Sequence, residues 1–403
     1  MITKKSIYKG KNSFIHDIKI LLYKENENIF DVLDFEDDNI YLEPLLYVYF
    51  AGEKLDETNL DTILYGYIKP AKRPKQISVK SDNFGRIYLP NLGWIHTENK
   101  ECYFVIISDL VSANGFFLVA HGEQVNLNFE PLELIKGTAI ELIKYPIPAL
   151  NQFYFNPEKE RVIVEIEHIS KIKLQQLTKS WNLIERLVPD HFQLIISAIT
   201  KNVVFNIDAV HRNSFASERS NGLVFFNAYQ KEYNEVFFID DIAHQTGHAI
   251  LYSVMYNLAD FFIIDPTTAL ESLKLSNGEN ELRDARVLLH SLYTYYTVII
   301  CLDACLDANI FKNEKRHEIL ARIYFYLSKC RHDLSVIENN EFWRKNKLFT
   351  EKGKSIYNVI KEQYCKTFDK WMPAIQDFDM SNQPYNFTYS KFVELNPLKE
   401  EVC

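Results

Sequence analysis

Glycine and proline are scarce in this chain, with 12 and 13 copies among 403 residues. Because disordered segments are rich in such residues and poor in large apolar ones, the composition indicates an ordered globular protein without long disordered tails. No apolar run is long enough to span a membrane, and the amino-terminal stretch MITKKSIYKGKNSF lacks the apolar core of a signal peptide. We therefore expect a cytoplasmic protein with no membrane partner.

Cysteine is also sparse and follows no pattern. The six cysteines include no CxxC pair and no regular spacing, which argues against a thiolate zinc site and against a disulfide framework. Basic residues are outnumbered by acidic ones, and the formal net charge of -9 argues against nucleic acid as the main ligand. None of these features indicates an oligomeric state.

The apolar pattern divides the chain into two predicted parts and predicts an α+β fold. Residues 1–163 form an N-terminal region that begins with helical segments. From about residue 76 it changes to short alternating runs separated by Gly, Asn and Asp, which indicate a β-rich domain able to hold a partner. Residues 164–403 are assigned to a zincin-like metal-binding domain with a small sheet, long helices and a helical C-terminal part.

The central motif of the second part is a pair of histidines four residues apart, His244 and His248. On a helix both imidazoles project from one face, one turn apart, in a geometry that a single metal ion accepts. The preceding residues 236–239 predict a buried strand, and Asp240 or Asp241 is a candidate N-cap for the helix. The alternative is a pair of hydrogen-bonded core histidines.

Several segments upstream of the pair are predicted from their periodicity. LQQLTKSWNLIERLVP has the pattern of an amphipathic helix that ends at Pro189. The apolar runs FQLIISAI, NVVFNI and GLVFFNAY have the length of strands. A strand leading into a metal-binding helix is the order found in zincin-like folds.

A third metal ligand is expected from a helix that follows the pair, because a catalytic site needs more than two protein ligands. His290 lies in a long apolar helical pattern and is the first candidate, although a lone histidine on such a helix is usually a core residue. The competing candidates are carboxylates: Asp260, Asp265, Glu271 and Asp284.

Arginines near these residues are candidate anion ligands. Arg286 lies four residues before His290, on the same helical face, where its guanidinium could bind a carboxylate of a metal-bound molecule. A surface salt bridge is the ordinary alternative. Arg283 is a second candidate, and Arg212 and Arg219 offer the same chemistry from a polar loop.

These residues together resemble a known family. The β-rich front half, the strand followed by HxxxH, and the later helix with RVLLHSLYTYYTVI are similar to the HExxH-motif enzymes that modify ribosomally made peptide natural products. Those enzymes are 2-oxoglutarate-dependent peptide β-hydroxylases. The resemblance covers residues 164–310 best.

The resemblance implies an Fe(II)- and 2-oxoglutarate-dependent dioxygenase that hydroxylates a side-chain β-carbon in a precursor peptide. It implies His244, His248 and His290 as iron ligands and Arg286 as the partner of the distal carboxylate of 2-oxoglutarate. Peptide recognition by the β-rich domain is likewise implied by the resemblance alone.

Gln245 departs from the HExxH motif, in which this position is glutamate. A zinc peptidase uses that glutamate as general base, and a neutral amide cannot take the proton from metal-bound water. An iron oxygenase needs no protein base for hydrogen abstraction, so that Gln245 would only orient a ligand or water at the catalytic site. Two alternatives remain open: a zincin-like zinc metallopeptidase with Glu271 as third ligand, and an inactive peptide-binding protein.

Overall fold

The chain consists of long helices and several small sheets, with 52% helix and 16% strand. The computed structural model describes residues 2–52, 59–112, 114–274 and 280–398. The predicted α+β fold is thereby confirmed, while the zincin-like character of the metal domain stays a prediction.

The first part of the chain is helical and is followed by short strands, as the residue pattern predicts. The helices are α1 (Lys4–Glu25), α2 (Ile29–Val32), α3 (Asp38–Tyr41), α4 (Pro44–Ala51) and α5 (Leu60–Leu64). The strands are β1 (Gln76–Lys80), β2 (Arg86–Leu89), β3 (Gly93–His96), β4 (Tyr103–Ser108), β5 (Phe116–Ala120), β6 (Glu123–Val125), β7 (Asn128–Pro131), β8 (Glu133–Leu134) and β9 (Glu141–Ile143).

The rest of the chain is mainly helical. Its first elements are α6 (Glu167–Leu187), α7 (Pro189–Ala198), β10 (Lys201–Phe205), β11 (Phe215–Ala216), β12 (Leu223–Asn227) and α8 (Glu235–Val254). Next come β13 (Ala269–Lys274), β14 (Asn280–Asp284), α9 (Ala285–Asp307), α10 (Asn313–Asn339), α11 (Glu341–Arg344), α12 (Glu351–Ile375) and α13 (Tyr389–Leu395).

Two compact units are built from interleaved segments. The helical unit contains Met1–Gly10, Gln175–Ala198 and Gln230–Cys403, and the sheet unit contains Lys11–Leu174 and Ile199–Tyr229. Each compact unit is assembled from segments that are separated in the sequence. The predicted domain boundary between residues 163 and 164 stays a prediction.

Among its described residues, the sheet unit contains three sheets. Two are antiparallel, with strand orders β1-β4-β5-β6 and β2-β3-β7, and the third is mixed, with the order β11-β12-β10-β9-β8. In the mixed sheet β10 is parallel to both β12 and β9, so that Val203 lies opposite Phe225 and Ile143. All five residues of β10 are buried, as expected for a central parallel strand.

The helical unit is formed around α8, α9 and α10, which pack on one another, while α12 packs on α9 and α10. Among its described residues, strands β13 and β14 pair with each other in a two-stranded sheet. Helix α9 is long and apolar enough to cross a membrane, but 72% of its apolar window is buried inside the protein, as in the core helix of a globular protein.

Two segments predicted as strands are helical, and both predictions were therefore wrong. Residues 236–239 belong to α8, whose N-cap is Asn234 rather than Asp240 or Asp241; the Asn234 side chain accepts a hydrogen bond from the Val236 N–H at 2.7 Å. FQLIISAI, apart from its last residue, belongs to α7, which begins at Pro189 and ends at Ala198. Both segments are short apolar runs, a pattern that does not separate strand from helix. The predictions for NVVFNI and GLVFFNAY are confirmed by β10 and β12.

Candidate functional site

Two helices bring three histidine rings together in the helical unit. His244 and His248 project from one face of α8, with ring centroids 5.2 Å apart. His290 comes from α9, and its ring centroid lies 5.9 Å from that of His248. His290 is buried, with 7% of its surface exposed, while His244 and His248 are half-buried residues. The predicted third ligand is therefore adjacent to the predicted pair.

A cavity of about 280 Å³ opens against these three rings and is hereafter named the histidine cavity. Its walls come from α8, α9, α10 and the segment before α13. Other lining residues that matter for its chemistry are Arg286, Ser291, Tyr295, Tyr326, Lys329 and Tyr385. No aspartate or glutamate lines it among the residues that the structure describes.

The close approach of α8 and α9 depends on Gly247, which lies between the two histidines of α8 in the packed interface. A Cβ at Gly247 would lie 2.8 Å from Oγ1 of Thr297 and 3.3 Å from Cγ2 of Thr294. The Thr297 hydroxyl also donates a hydrogen bond to the carbonyl of Ala243 at 2.8 Å. The missing side chain and this hydrogen bond hold His290 near the α8 histidines.

Burial keeps the three imidazoles neutral. It lowers the pKa of His248 to about 4. It also lowers the pKa of His244 and of His290 well below the ordinary value, and the neighbouring His248 ring and the positive charge of Arg286 lower the pKa of His290 further. Neutral imidazole nitrogens keep the lone pairs that metal ions require.

A buried nitrogen of this group lacks a hydrogen-bond partner. The Nδ1 atom of His248 is buried and makes no hydrogen bond with the part of the chain that the structure describes. Because buried polar atoms are nearly always satisfied, such an atom is a place where a ligand or ion is expected. The donor set and this unpaired nitrogen fit a divalent metal of the kind that imidazole binds, namely zinc, copper, iron or nickel.

A second group of potential ligands lies elsewhere in the helical unit. Ligand atoms of Glu271, His332 and Asp333 all lie within 4.8 Å of one another, a distance that the three cavity histidines do not satisfy as a set. Arg283 donates to both oxygens of Asp333, at 2.6 and 2.7 Å, and to Glu271 at 3.1 Å. The other Glu271 oxygen contacts Nε2 of His332 at 2.6 Å, so both carboxylates already have side-chain partners. We interpret this group as an ion-pair network.

Two cationic side chains line the histidine cavity among the residues that the structure describes. Arg286, predicted from the sequence, is one of its lining residues. Lys329 of α10 is the second, and its ammonium donates to the carbonyl of Tyr385 at 2.6 Å and lies 4.2 Å from the Tyr385 ring centroid. Burial lowers the pKa of Lys329 to about 8. Lys329 was not predicted, because its position in the sequence does not reveal that it faces the histidines.

A buried hydrogen-bond network orients one cavity wall. The hydroxyl of Tyr326 donates to Asp240 at 2.7 Å, and Arg322 donates to the other oxygen of Asp240 at 2.6 Å. Arg322 also contacts Glu318 at 2.7 Å. Through these contacts, the ring centroid of Tyr326 is held 6.0 Å from that of His244.

The remaining predicted site residues lie away from the cavity wall. Gln245 donates to Asp241 of the same helix at 3.2 Å, and it is not among the lining residues. Arg283 is held by the ion-pair network described above. Arg212 belongs to the sheet unit, where its guanidinium lies 4.5 and 4.1 Å from the ring centroids of Phe155 and Phe215. The structure thus brings together His244, His248, His290 and Arg286. Four other predicted residues are not among those that line the cavity, namely Gln245, Arg283, Arg212 and Arg219.

The four competing carboxylates also have other contacts. Asp284 caps α9 by accepting from the Val287 N–H at 2.7 Å, and Asp265 accepts from the Thr267 hydroxyl at 2.7 Å. Asp260 accepts from Asn257 at 3.0 Å, and Glu271 belongs to the ion-pair network. None of the four lines the histidine cavity.

A comparison of the chain with family models and with curated proteins gives no match. The function must therefore be argued from the residues of the cavity.

Proposed function

We propose that this protein is an Fe(II)- and 2-oxoglutarate-dependent oxygenase whose iron is held by His244, His248 and His290. The observation that carries the proposal is the composition of the histidine cavity, whose wall contains three neutral imidazoles, two cationic side chains and, among the described residues, no carboxylate. Bound iron would supply the oxidising chemistry needed to attack an unactivated carbon–hydrogen bond.

The two cations support a dianionic co-substrate. Three neutral imidazoles leave the 2+ charge of the metal uncompensated, so that an anion should bind beside it. Arg286 offers a guanidinium for a carboxylate, and Lys329 offers an ammonium from the neighbouring helix. The cavity volume of about 280 Å³ is slightly below the range of about 300–1,000 Å³ that drug-sized ligands occupy, so the cavity suits a smaller molecule.

The residues that line the histidine cavity also argue against the alternative of a zinc metallopeptidase. Hydrolysis by a zinc-bound water requires a nearby general base. Gln245 contacts Asp241, and no described carboxylate lines the cavity. The measured metal content distinguishes the proposed oxygenase from an inactive peptide-binding protein, since a decayed site would not bind iron stoichiometrically.

The substrate and location are further parts of the proposal. The resemblance to HExxH-motif peptide β-hydroxylases supports a precursor peptide as substrate, with hydroxylation at a side-chain β-carbon in the cytoplasm. Tyr295 and Tyr326 line the cavity close to His244, with ring centroids 6.3 and 6.0 Å from its ring, and would exclude water from the reacting carbon.

The test is an anaerobic titration of the metal-free protein with Fe(II), followed by 2-oxoglutarate. We expect the weak visible charge-transfer band of a chelated 2-oxo acid, and we expect it to disappear on admission of air with formation of succinate. A His290→Ala variant should give neither signal. Tight zinc binding without such a band in the wild-type protein would contradict the proposal.

A further inference from the structure

A tyrosine follows the histidine pair of α8 on the same helix face. His244, His248 and Tyr252 are spaced four residues apart, so at helical period their side chains project from one face, one turn after another. Tyr252 is half-buried and lines the histidine cavity. The motif on α8 is therefore HxxxHxxxY, and its third member has no part in the proposed ligand set.

The ring of Tyr252 lies next to histidine rings from both helices. Its centroid is 6.1 Å from that of His248, with 22° between the ring planes, and 5.3 Å from that of His290, with 37° between the planes. The rings of His248 and His290 are themselves nearly parallel, with 19° between their planes. These distances lie within the range of about 4.5–7 Å over which aromatic rings pair favourably. Tyr252 therefore links the second histidine of α8 to the histidine of α9.

The orientation of a histidine ring depends on its neighbours. The χ2 torsion of histidine has broad energy wells, so the backbone and χ1 do not determine where the ring nitrogens point. In most metal sites a hydrogen bond from the second ring nitrogen fixes the orientation. The Nδ1 atom of His248 makes no such bond with any described residue. Packing against neighbouring rings is therefore the restraint that the structure provides for His248.

Two other tyrosines of the cavity are placed differently. The rings of Tyr295 and Tyr326 lie 6.3 and 6.0 Å from the ring of His244. Both are next to the first histidine of the motif, whereas Tyr252 is next to the second histidine and to the α9 histidine. Each imidazole of the proposed ligand set thus has a tyrosine ring beside it.

We propose that Tyr252 is a positioning residue of the metal centre, whose ring holds the imidazoles of His248 and His290 in the orientation in which both bind one metal ion. This inference rests on the proposed metal centre in the histidine cavity. It concerns the aromatic ring and not the phenol hydroxyl, so phenylalanine is the conservative replacement at position 252.

The test is a titration of the full-length, metal-free protein with Co(II), a divalent metal that binds imidazole and whose visible absorption bands report the geometry of its ligands. Tyr252→Leu should weaken Co(II) binding roughly tenfold and shift the visible bands, because two ring contacts are lost. Tyr252→Phe should restore the wild-type affinity and spectrum. Tyr256→Leu is the matched control, since Tyr256 lies four residues further along, is 42% exposed and is outside the cavity lining; it should leave both readouts unchanged.

The outcomes separate the role of Tyr252 from the metal centre on which it depends. Wild-type protein that binds no Co(II), or a Co(II) spectrum that is unaltered in His290→Ala, would contradict the metal centre and with it the inference. Wild-type binding together with unchanged affinity and spectrum in folded Tyr252→Leu would overturn the role of Tyr252 alone, as would a Tyr252→Phe variant that behaves like Tyr252→Leu. If Tyr252→Leu does not fold, Tyr252→Met removes the ring from the same half-buried position.

Discussion

At the scale of single residues, the histidine cavity combines groups that bind metals with groups that bind anions. Burial lowers the pKa values of His244, His248 and His290, which keeps these rings neutral. Lys329 comes from a third helix and is fixed by the carbonyl of Tyr385. Neutral imidazoles and two cationic side chains in one cavity are the arrangement expected where a single anion binds both the metal and the protein.

Lys329→Met should weaken co-substrate binding without affecting the metal. A hydrogen bond to a charged group contributes about 1.5–3 kcal/mol, so the apparent affinity for 2-oxoglutarate should fall roughly tenfold to a hundredfold. The measurement is the concentration dependence of succinate formation, together with the bound Fe(II). Lys315→Met is the control, because Lys315 lies on the same helix but pairs with Glu235. Equal loss of 2-oxoglutarate affinity in both variants would exclude a specific role for Lys329.

His191 gives a prediction about pH. Its pKa is lowered to about 4 in the folded protein, whereas an unfolded histidine has a pKa of about 6.5. The unfolded chain therefore binds more protons between these values, so the free energy of unfolding decreases as the pH falls through this window. From about pH 7.5 to about pH 5, His191 should account for a loss of about 2 kcal/mol.

Urea unfolding of the wild-type protein and of His191→Phe at the two pH values measures this contribution. The wild-type protein should lose about 2 kcal/mol more than the variant, since the other buried histidines are present in both. Equal losses would mean that His191 has an ordinary pKa.

At the scale of elements, the contact between α8 and α9 positions the third histidine. Gly247→Ala would place a Cβ 2.8 Å from Oγ1 of Thr297, so the two helices must separate. Alanine favours a helix interior over glycine by about 1 kcal/mol, and this gain should be outweighed by lost packing between α8 and α9. We expect Fe(II) affinity to fall roughly tenfold as His290 moves away from His248.

Thr297→Ala supplies the matched control for this prediction. It removes the atom that the new Cβ would meet, so the double variant should recover Fe(II) affinity relative to Gly247→Ala alone. Independent effects of the two substitutions in a double-mutant cycle would show that the helix contact does not set the position of His290.

Secondary structure was predictable where alternation or helical period was clear, and it was ambiguous in short apolar runs, two of which are strands and two of which are helical. The alternating strands after residue 76 and helices α6, α9, α10 and α12 follow from periodicity. The start of α8 does not, because residues 236–239 are buried on every side and the cap that identifies the helix, Asn234, lies just before the apolar run.

At the scale of the whole molecule, the candidate site was predictable only in part. His244 and His248 follow from helical spacing, and His290 with Arg286 follows from the same argument on the next long helix. Lys329 and Tyr385 are contributed by segments far apart in the sequence, and only tertiary packing brings them to the cavity. The two compact units were not predictable for a similar reason, because each combines segments that are far apart in the sequence. Met1–Gly10, for example, belongs to the same unit as the residues from position 230 onward.

The most direct test of the account is the Fe(II) content of the protein after anaerobic loading and gel filtration, compared among the wild-type protein, His290→Ala and His332→Ala. His332 represents the rival group with Glu271 and Asp333. We predict stoichiometric Fe(II) in the wild-type protein and in His332→Ala, and loss of Fe(II) in His290→Ala. Retention of Fe(II) in folded His290→Ala, or its loss in His332→Ala, would contradict a metal centre in the histidine cavity.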